Sequence, residues 1–164
     1  MRAFVVALTL LFVVNATPAR AASPEQDIAT VLDALHAAAA KADGPAYFAL
    51  YTPDATYLGT DATERWSLTE FKAFALPYFS RGQGWTYVPR ERHITIAPVV
   101  CRCVAWFDEL LDSKSYGTSR GTGTLVLTPD GWRVSQYVLT FPIPNDLAHG
   151  MTDQIKAFEA KPKP

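Results

Sequence analysis

The second half of the chain reads as four long strands with very short connections between them. Apolar and polar residues alternate there, and Pro, Gly, Asp and Ser mark the breaks. Parallel pairing of consecutive strands needs a crossover of about a dozen residues or more, and these connections are far shorter. The strands are therefore predicted to pair antiparallel as a meander. They are predicted over residues 85–97, 103–112, 116–128 and 131–143.

The first half of the chain is predicted to be mainly helical. Residues 24–43 repeat apolar side chains at the spacing of one helical face, with Ser23 as N-cap. Ser67 and Glu70 form a capping box that starts another helix. A short helix and the short strand 56–59 lie between the two. Helices followed by strands are typical of an α+β fold in which N-terminal helices pack on one face of a curved antiparallel β-sheet.

Residues 1–21 are predicted to be a cleaved signal peptide. They contain Arg2, an apolar run of about a dozen residues where a membrane span needs about 20, and the A-x-A sequence at 19–21. We therefore expect a soluble periplasmic or secreted protein. Its domain is predicted over 22–148, followed by a tail over 149–164 that adds a frayed helix.

Charge and motif content argue against several classes of partner. The formal net charge is −1, and cleavage after residue 21 would make it −3, which disfavours nucleic acid and anionic membranes. The three histidines lack metal-ligand spacing, and no nucleotide-binding motif appears, so neither a metal nor a cofactor is predicted.

The two cysteines, Cys101 and Cys103, leave several readings open. In an extended strand their Cα atoms would lie near the upper limit for a disulfide, so a bridge requires a turn or bulge. The alternatives are two free thiols, a strained bridge, a redox pair or part of a metal site.

The last predicted strand has two mixed faces. One face carries Trp132, Val134, Gln136, Val138 and Thr140, and the other carries Arg133, Ser135, Tyr137, Leu139 and Phe141. A strand with one face in water should alternate more cleanly. We therefore expect both faces to be covered, one by the helices and the other by a second copy of the chain in a homodimer.

Four segments of the chain are distinctive, at 48–79, 104–112, 116–123 and 130–146, and they include "GTDATERW" and "LTFPIPND". Together with the order of elements, they resemble the SnoaL-like branch of the NTF2-like superfamily over residues 25–148. The resemblance implies a cone-shaped α+β fold, a cavity between the helices and the concave sheet face, and frequent dimerisation through the outer face. It does not imply one activity, since this scaffold hosts isomerases, dehydratases, cyclases, hydrolases and binding proteins.

Asp108 is the first candidate for a catalytic acid or base, with Tyr57 and His93 as assisting groups. By resemblance to the isomerases and cyclases of the family, a tyrosine hydroxyl would stabilise an enolate oxygen, and Tyr57, Tyr87 or Tyr137 could supply it. An acid among apolar neighbours on a central strand is typical of proton-transfer sites. Asp108 is favoured if Trp106 faces the cavity, and Glu109 if Trp106 faces outward. The structural alternative is an ion pair of either acid with Arg120 or Arg92.

The resemblance also implies that Gln136 and Thr140 are inward polar groups of the cavity, although they are equally well explained as partners of neighbouring groups. Asp61 lies in a loop that is placed near the cavity mouth, where it either gates the cavity or staples the loop by pairing with Arg65. His93 is alternatively a residue of the solvated face, and His36 a packed histidine. The predicted ligand-binding residues are Trp106, Gln136, Thr140, Arg120, Trp132 and Asp61.

Two functional hypotheses follow. The first is an exported domain that binds a small, largely apolar molecule in its cone, with acid/base chemistry of the isomerase, dehydratase or cyclase type. The second is a non-catalytic dimeric binding or protein-interaction module. An unpaired carboxylate in a partly hydrated cavity favours the first, and a carboxylate paired with an arginine favours the second.

Overall fold

The computed structural model describes residues 22–161, so the predicted signal peptide lies outside the described residues. The helices and strands are α1 (Pro24–Ala40), α2 (Gly44–Phe48), β1 (Tyr51–Leu58), β2 (Arg65–Ser67), α3 (Leu68–Phe79), β3 (Val88–Ile96), β4 (Val104–Ser113), β5 (Gly117–Thr128), β6 (Gly131–Thr140) and α4 (Asn145–Glu159). No helix within residues 22–161 has the length and apolar character that a membrane crossing requires.

The strands form one curved six-stranded sheet in the order β2-β1-β6-β5-β4-β3. The predicted antiparallel meander of β3 to β6 is confirmed. β1 adds a parallel pair with β6, which was not predicted, and β2 pairs antiparallel with β1. The α+β fold is therefore confirmed, with one parallel pair inside a mostly antiparallel sheet.

The two long helices begin where their caps predict. Ser23 accepts a hydrogen bond from the Gln26 backbone, and the Ser67 and Glu70 capping box starts α3. α1 ends at Ala40, earlier than predicted, because Ala42 adopts a φ of 55° and Asp43 then caps α2. The apolar stripe of α1 packs against β3 and β6 on the inner face of the sheet.

A β-bulge in β6 explains why both of its faces are mixed. Leu125 of β5 pairs with Val134, but Thr124 pairs with Gln136, which leaves Ser135 as the extra residue. Before the bulge Trp132 is buried, and after it Tyr137 is buried. The inward side chains therefore change parity within one strand. The face that was predicted to point inward as a unit, from residue 132 to residue 140, does so only up to the bulge.

The tail forms α4, in which no residue is buried. Its larger apolar side chains recur three or four residues apart on one side of the helix and are exposed. They are Leu147, Met151, Ile155 and Phe158.

The connection between β3 and β4 contains a disulfide. Cys101 and Cys103 are bridged with their Cα atoms 5.1 Å apart, and Arg102 between them adopts a φ of 47°. A bridge between residues so close in sequence was predicted to require a turn, and the turn is present.

Candidate functional site

A pocket lies at the end of the sheet where β1, β4 and β6 end and where β3 and β5 begin. Its volume is about 210 Å³. Eight of its twelve lining residues are aromatic, so its wall offers ring faces and edges to a ligand. The lining residues are Tyr57, Gly59, Thr60, Glu64, Trp66, Phe71, Phe74, Trp85, Tyr87, Tyr116, Leu139 and Phe141.

Stacked aromatic rings form the floor and one wall of this pocket. Strand alternation points Tyr57 inward, and β2 places Trp66 directly opposite it. The Tyr57 ring lies 3.8 Å from the Phe71 ring at an interplanar angle of 17°. Trp66 in turn stacks on Phe74 at 4.9 Å. Because these rings support one another, the pocket wall is preformed.

A second, much smaller cavity lies deeper in the cone. Its volume is about 10 Å³, which is on the order of the space for one water molecule. The two cavities share four lining residues, and the inner cavity adds polar groups of His36, Tyr47 and Tyr137. The shared residues are Tyr57, Trp85, Tyr87 and Leu139.

Beside the inner cavity, α1, β3, β4 and β6 bring a charged cluster together on Glu109, which has no exposed surface. His36 Nε2 lies 2.6 Å from Glu109 Oε1, and Arg92 Nε donates to Glu109 Oε2 at 2.7 Å. The Tyr137 hydroxyl donates to Glu109 Oε1 at 3.3 Å. Arg92 also contacts Asp33 Oδ1 at 2.8 Å. Both carboxylate oxygens of Glu109 are therefore engaged.

This cluster keeps Glu109 ionised. Burial alone would raise the pKa of the Glu109 carboxyl, but the hydrogen bond and charge of His36 and the charge of Arg92 bring it below its ordinary value. Burial and the neighbouring Glu109 charge hold the pKa of Tyr137 well above its ordinary value, so its hydroxyl remains a donor.

Gly121 makes room for the cluster. It pairs with Glu109 across β4 and β5. A Cβ atom at this position would overlap the Tyr137 hydroxyl and lie 3.1 Å from Glu109 Oε1. The absence of a side chain at Gly121 thus leaves space for the buried carboxylate and its donor.

The predicted catalytic residues are placed differently from expectation, with one exception. Asp108 and Trp106 lie on the outer face of the sheet, and Trp106 is 45% exposed. His93 is also exposed there and contacts Glu91 at 2.9 Å. The expectation that Asp108 and Trp106 face the cavity is wrong, because adjacent strand residues alternate and β4 turns Glu109 inward instead. Tyr57 does line both cavities.

The predicted polar ligands are also outside the cavities. Gln136 and Thr140 are exposed because the bulge moves them to the outer face, and Thr140 donates to the Arg120 backbone at 3.4 Å. Arg120 is exposed on that same face. Within residues 22–161, the predicted site residues that line these two cavities are Tyr57 and its two alternatives as hydroxyl donor, Tyr87 and Tyr137.

Trp132 is buried in the core near the opposite end of β6. Asp61 lies in the exposed loop that also contains the pocket residues Thr60 and Glu64. Its carboxylate accepts hydrogen bonds from the backbone and hydroxyl of Thr63. These hydrogen bonds hold Asp61 within its own loop, and the expected roles as a gate or as a partner of Arg65 stay predictions.

The alternative readings of the acids are confirmed. Glu109 is the inward acid when Trp106 faces outward, and the expected ion pair is the one between Glu109 and Arg92. His36 was read only as a packed histidine, and its contact with Glu109 was missed. That pair is separated by 73 positions in sequence, so no local spacing could have revealed it. Within the described part of the chain, no group of three potential metal ligands comes together.

Comparison with known proteins places the chain in a family. The model of the SnoaL-like domain matches residues 28–144. No curated protein matches the sequence. An NTF2-like protein of unknown function from Pseudomonas putida is 15% identical, with a TM-score of 0.61 over 74% of this chain and 89% of that one.

Two further solved structures share the fold. A protein of the NTF2-like family from Streptomyces avermitilis, provisionally described as a dehydratase, is 13% identical, with a TM-score of 0.61 over 74% of this chain and 100% of that one. A protein from Novosphingobium aromaticivorans, provisionally described as an aromatic ring hydroxylase, is 17% identical, with a TM-score of 0.58 over 72% and 88%. The chain belongs to the SnoaL-like domain family and has the NTF2-like fold.

Proposed function

We propose that this domain binds a small, flat, largely apolar molecule in the aromatic pocket at the open end of its sheet. The observation that carries the proposal is the pocket itself, with about 210 Å³ of space and eight aromatic lining residues. Concave sites with an apolar wall and few polar groups are typical of small-molecule binding.

Size and wall chemistry narrow the ligand class. In another protein, an apolar cavity of about 150 Å³ holds benzene, so this pocket offers room for a molecule of one or two fused rings. Aromatic side chains stack well against flat rings. The shared wall formed by Tyr57, Trp85, Tyr87 and Leu139 leads toward the inner cavity, where His36 and Tyr137 favour a single polar substituent on the ligand.

The charged cluster supports binding as the main function. Glu109 is paired with Arg92 and His36, and a carboxylate whose two oxygens are both occupied is a poor proton acceptor. A carboxylate paired with an arginine favours the second hypothesis, that of a non-catalytic binding domain. The aromatic wall therefore holds the ligand. Glu109 has a structural role, since it holds His36 and Arg92 in place at the inner end of the cone.

Acid/base chemistry is the second candidate, and one contact favours it. Glu109 holds the His36 ring at 2.6 Å, and His36 lines the inner cavity. An imidazole oriented by a carboxylate is a common general acid or base. In this arrangement His36, rather than Asp108, Tyr57 or His93, would exchange a proton with the polar end of the ligand.

Export and assembly complete the proposal. Residues 1–21 would direct the protein to the periplasm or the exterior, where the mature chain acts without a cofactor. The outer sheet face, with the exposed Trp106 and the half-buried Leu110 and Val138, would pair with a second copy of the chain.

Fluorescence titration tests the binding proposal, because Trp66 and Trp85 line the pocket. We expect 2-naphthol to change tryptophan emission in a saturable way. Phe74→Ala should weaken the affinity by about three- to tenfold through loss of a stacking partner. Leu76→Ala is the matched control, since Phe74 and Leu76 are 43% and 42% exposed on the same helix and Leu76 does not line the pocket. Equal affinities of both variants, or no saturable change with the wild type, would contradict the proposal.

Proton exchange tests the second candidate. The probe is 2-tetralone, a two-ring ketone with exchangeable protons next to its carbonyl, incubated in D2O and followed by NMR. Acid/base chemistry predicts that the wild type accelerates deuterium uptake and that His36→Gln does not. Uptake at the same rate with the wild type, with His36→Gln and without protein would leave binding as the function.

A further inference from the structure

A disulfide lies at the tip of the connection between β3 and β4, away from the aromatic pocket. It joins Cys101 and Cys103, and Cys101 is exposed while Cys103 is half-buried. Neither cysteine lines either of the two cavities described above. Cys101 is therefore accessible to a partner in solution, and ligand binding in the aromatic pocket does not involve the disulfide.

The disulfide contributes little to the stability of the fold. A disulfide stabilises a protein mainly by closing a loop in the unfolded chain, and this loop contains just one residue between the cysteines. The connection is also held by backbone hydrogen bonds. Ala97 donates to Val104 at 2.8 Å, and Leu127 donates to Cys103 at 2.8 Å. Reduction of the bridge should therefore leave the sheet intact.

The bridged loop holds Arg102 in a left-handed conformation, with a φ of 47°. This region is unfavourable for a residue with a Cβ atom. Opening the bridge allows Arg102 to relax, which favours the dithiol form.

Two apolar side chains precede the bridge and are uncovered. Val99 is 46% exposed, and Val100 is fully exposed. Exposed apolar side chains can bind apolar side chains of a partner, and the neighbouring disulfide can react with thiols of the same partner. An unfolded polypeptide with reduced cysteines has both.

We propose that the Cys101–Cys103 disulfide oxidises pairs of cysteine thiols in unfolded polypeptides that dock on Val99 and Val100. Exposed disulfides in strained loops are the labile ones, whereas structural disulfides resist reduction by the glutathione pool. This activity is independent of ligand binding in the aromatic pocket.

The reaction is a balanced two-electron exchange. A substrate thiolate attacks Cys101 Sγ, the bond between Cys101 and Cys103 breaks, and Cys103 leaves as a thiolate that takes up a proton. The second substrate thiolate then attacks the substrate sulfur of the mixed disulfide and releases Cys101, which is protonated in turn. Two substrate thiols become one disulfide, and the protein disulfide becomes two thiols.

The first experiment measures whether the bridge exchanges with thiols. The folded full chain is equilibrated with reduced and oxidised glutathione at a ratio that leaves structural disulfides intact. Free thiols are then alkylated with iodoacetamide, and the mass of the protein is measured by mass spectrometry. We expect the mass of two added alkyl groups, with an unchanged circular dichroism spectrum. A chain that stays fully oxidised, or that unfolds as it is reduced, would overturn the proposal.

The second experiment tests the docking surface with reduced, unfolded ribonuclease A as the thiol probe. Val99→Ser combined with Val100→Ser should slow the single-turnover oxidation of this probe by about tenfold and leave the reaction with glutathione unchanged. Val88→Ser, at a site that is 54% exposed on β3, is the matched control. Equal rates of the double variant and the control would show that the valines do not dock the polypeptide.

Discussion

At the scale of single residues, the most consequential feature is a charge with no access to water. The Glu109 carboxylate is tolerated in the core because His36, Arg92 and Tyr137 surround it with hydrogen bonds. Arg92 is held in turn by Asp33 near the surface. The cluster ties α1 to three strands of the sheet, so its loss should affect the whole inner end of the cone.

Glu109→Gln should destabilise the protein by about 3–5 kcal/mol, because it removes the buried charge that pairs with the largely buried guanidinium of Arg92 and leaves Asp33 as the remaining carboxylate partner. The measurement is urea unfolding followed by circular dichroism. Asp112→Asn is the matched control, since it breaks the Arg90–Asp112 pair in which both side chains are about half exposed. That change should cost less than about 1 kcal/mol. Equal losses for the two variants would show that the buried cluster is not stabilising.

Acid unfolding gives an independent test of the same cluster. The pKa of Glu109 is lowered in the folded protein, chiefly by His36 and Arg92 against the opposing effect of burial. Its contribution is therefore present above the unfolded pKa of about 4.3 and is lost as the pH falls through the lower, folded value. The wild type should lose more stability than Glu109→Gln over this acidic range. Parallel stability curves for the two proteins would contradict the assignment.

The sequence limited the inner acid to two neighbouring residues, and the prediction preferred the wrong one, Asp108. Asp108 and Glu109 point to opposite faces of one strand, and the choice depended on which way Trp106 faces. A tryptophan ordinarily marks the buried side, and here it marks the outer face. The buried side is set by β3 and α1, which place Arg92 and His36 opposite Glu109, and these are contacts between residues far apart in sequence.

At the scale of elements, the predictions from local pattern were the accurate ones. Ser23 and Ser67 mark the starts of α1 and α3, and the meander follows from its short connections. The pattern did not predict that the inward side chains of β6 switch from even to odd positions at Ser135. The mixed faces of β6 were the sign of this switch in the sequence. A bulge is defined by how β6 pairs with β5. It therefore cannot be located from the sequence of either strand alone.

Deletion of Ser135 tests the role of the bulge. Without the extra residue, either Trp132 and Val134 or Tyr137 and Leu139 must turn to the outer face. We expect a chain that is insoluble or lacks the sharp unfolding transition of the wild type. The control is Ser135→Ala, which keeps the backbone and loses the 2.7 Å contact with Thr124, at a cost of about 1 kcal/mol. A deletion variant as stable as Ser135→Ala would show that the register shift is dispensable.

At the scale of the whole molecule, the helices cover one face of the sheet and leave the other face exposed. α1 and α3 pack on the inner side, where the charged cluster and the aromatic pocket lie, while the outer side of the meander has no layer over it within residues 22–161. Fold-level expectation thus held for the cone, its inner cavity and its α+β layering. The identity of the residues that face the cavity depended on register and on long-range contacts.

The homodimer proposed for the outer face makes a direct prediction. The wild-type mature chain should have twice the monomer mass by light scattering after size-exclusion chromatography, and Trp106→Asp should have the monomer mass, because a charge at the centre of an isologous interface faces its own copy. Leu127→Asp is the matched control, since Leu127 is 47% exposed against 45% for Trp106 but lies near the end of β5, opposite Trp132. It should remain dimeric. A monomeric wild type would leave the exposed tryptophan without a partner, and a monomeric Leu127→Asp would place the interface at the end of the sheet instead of its outer face.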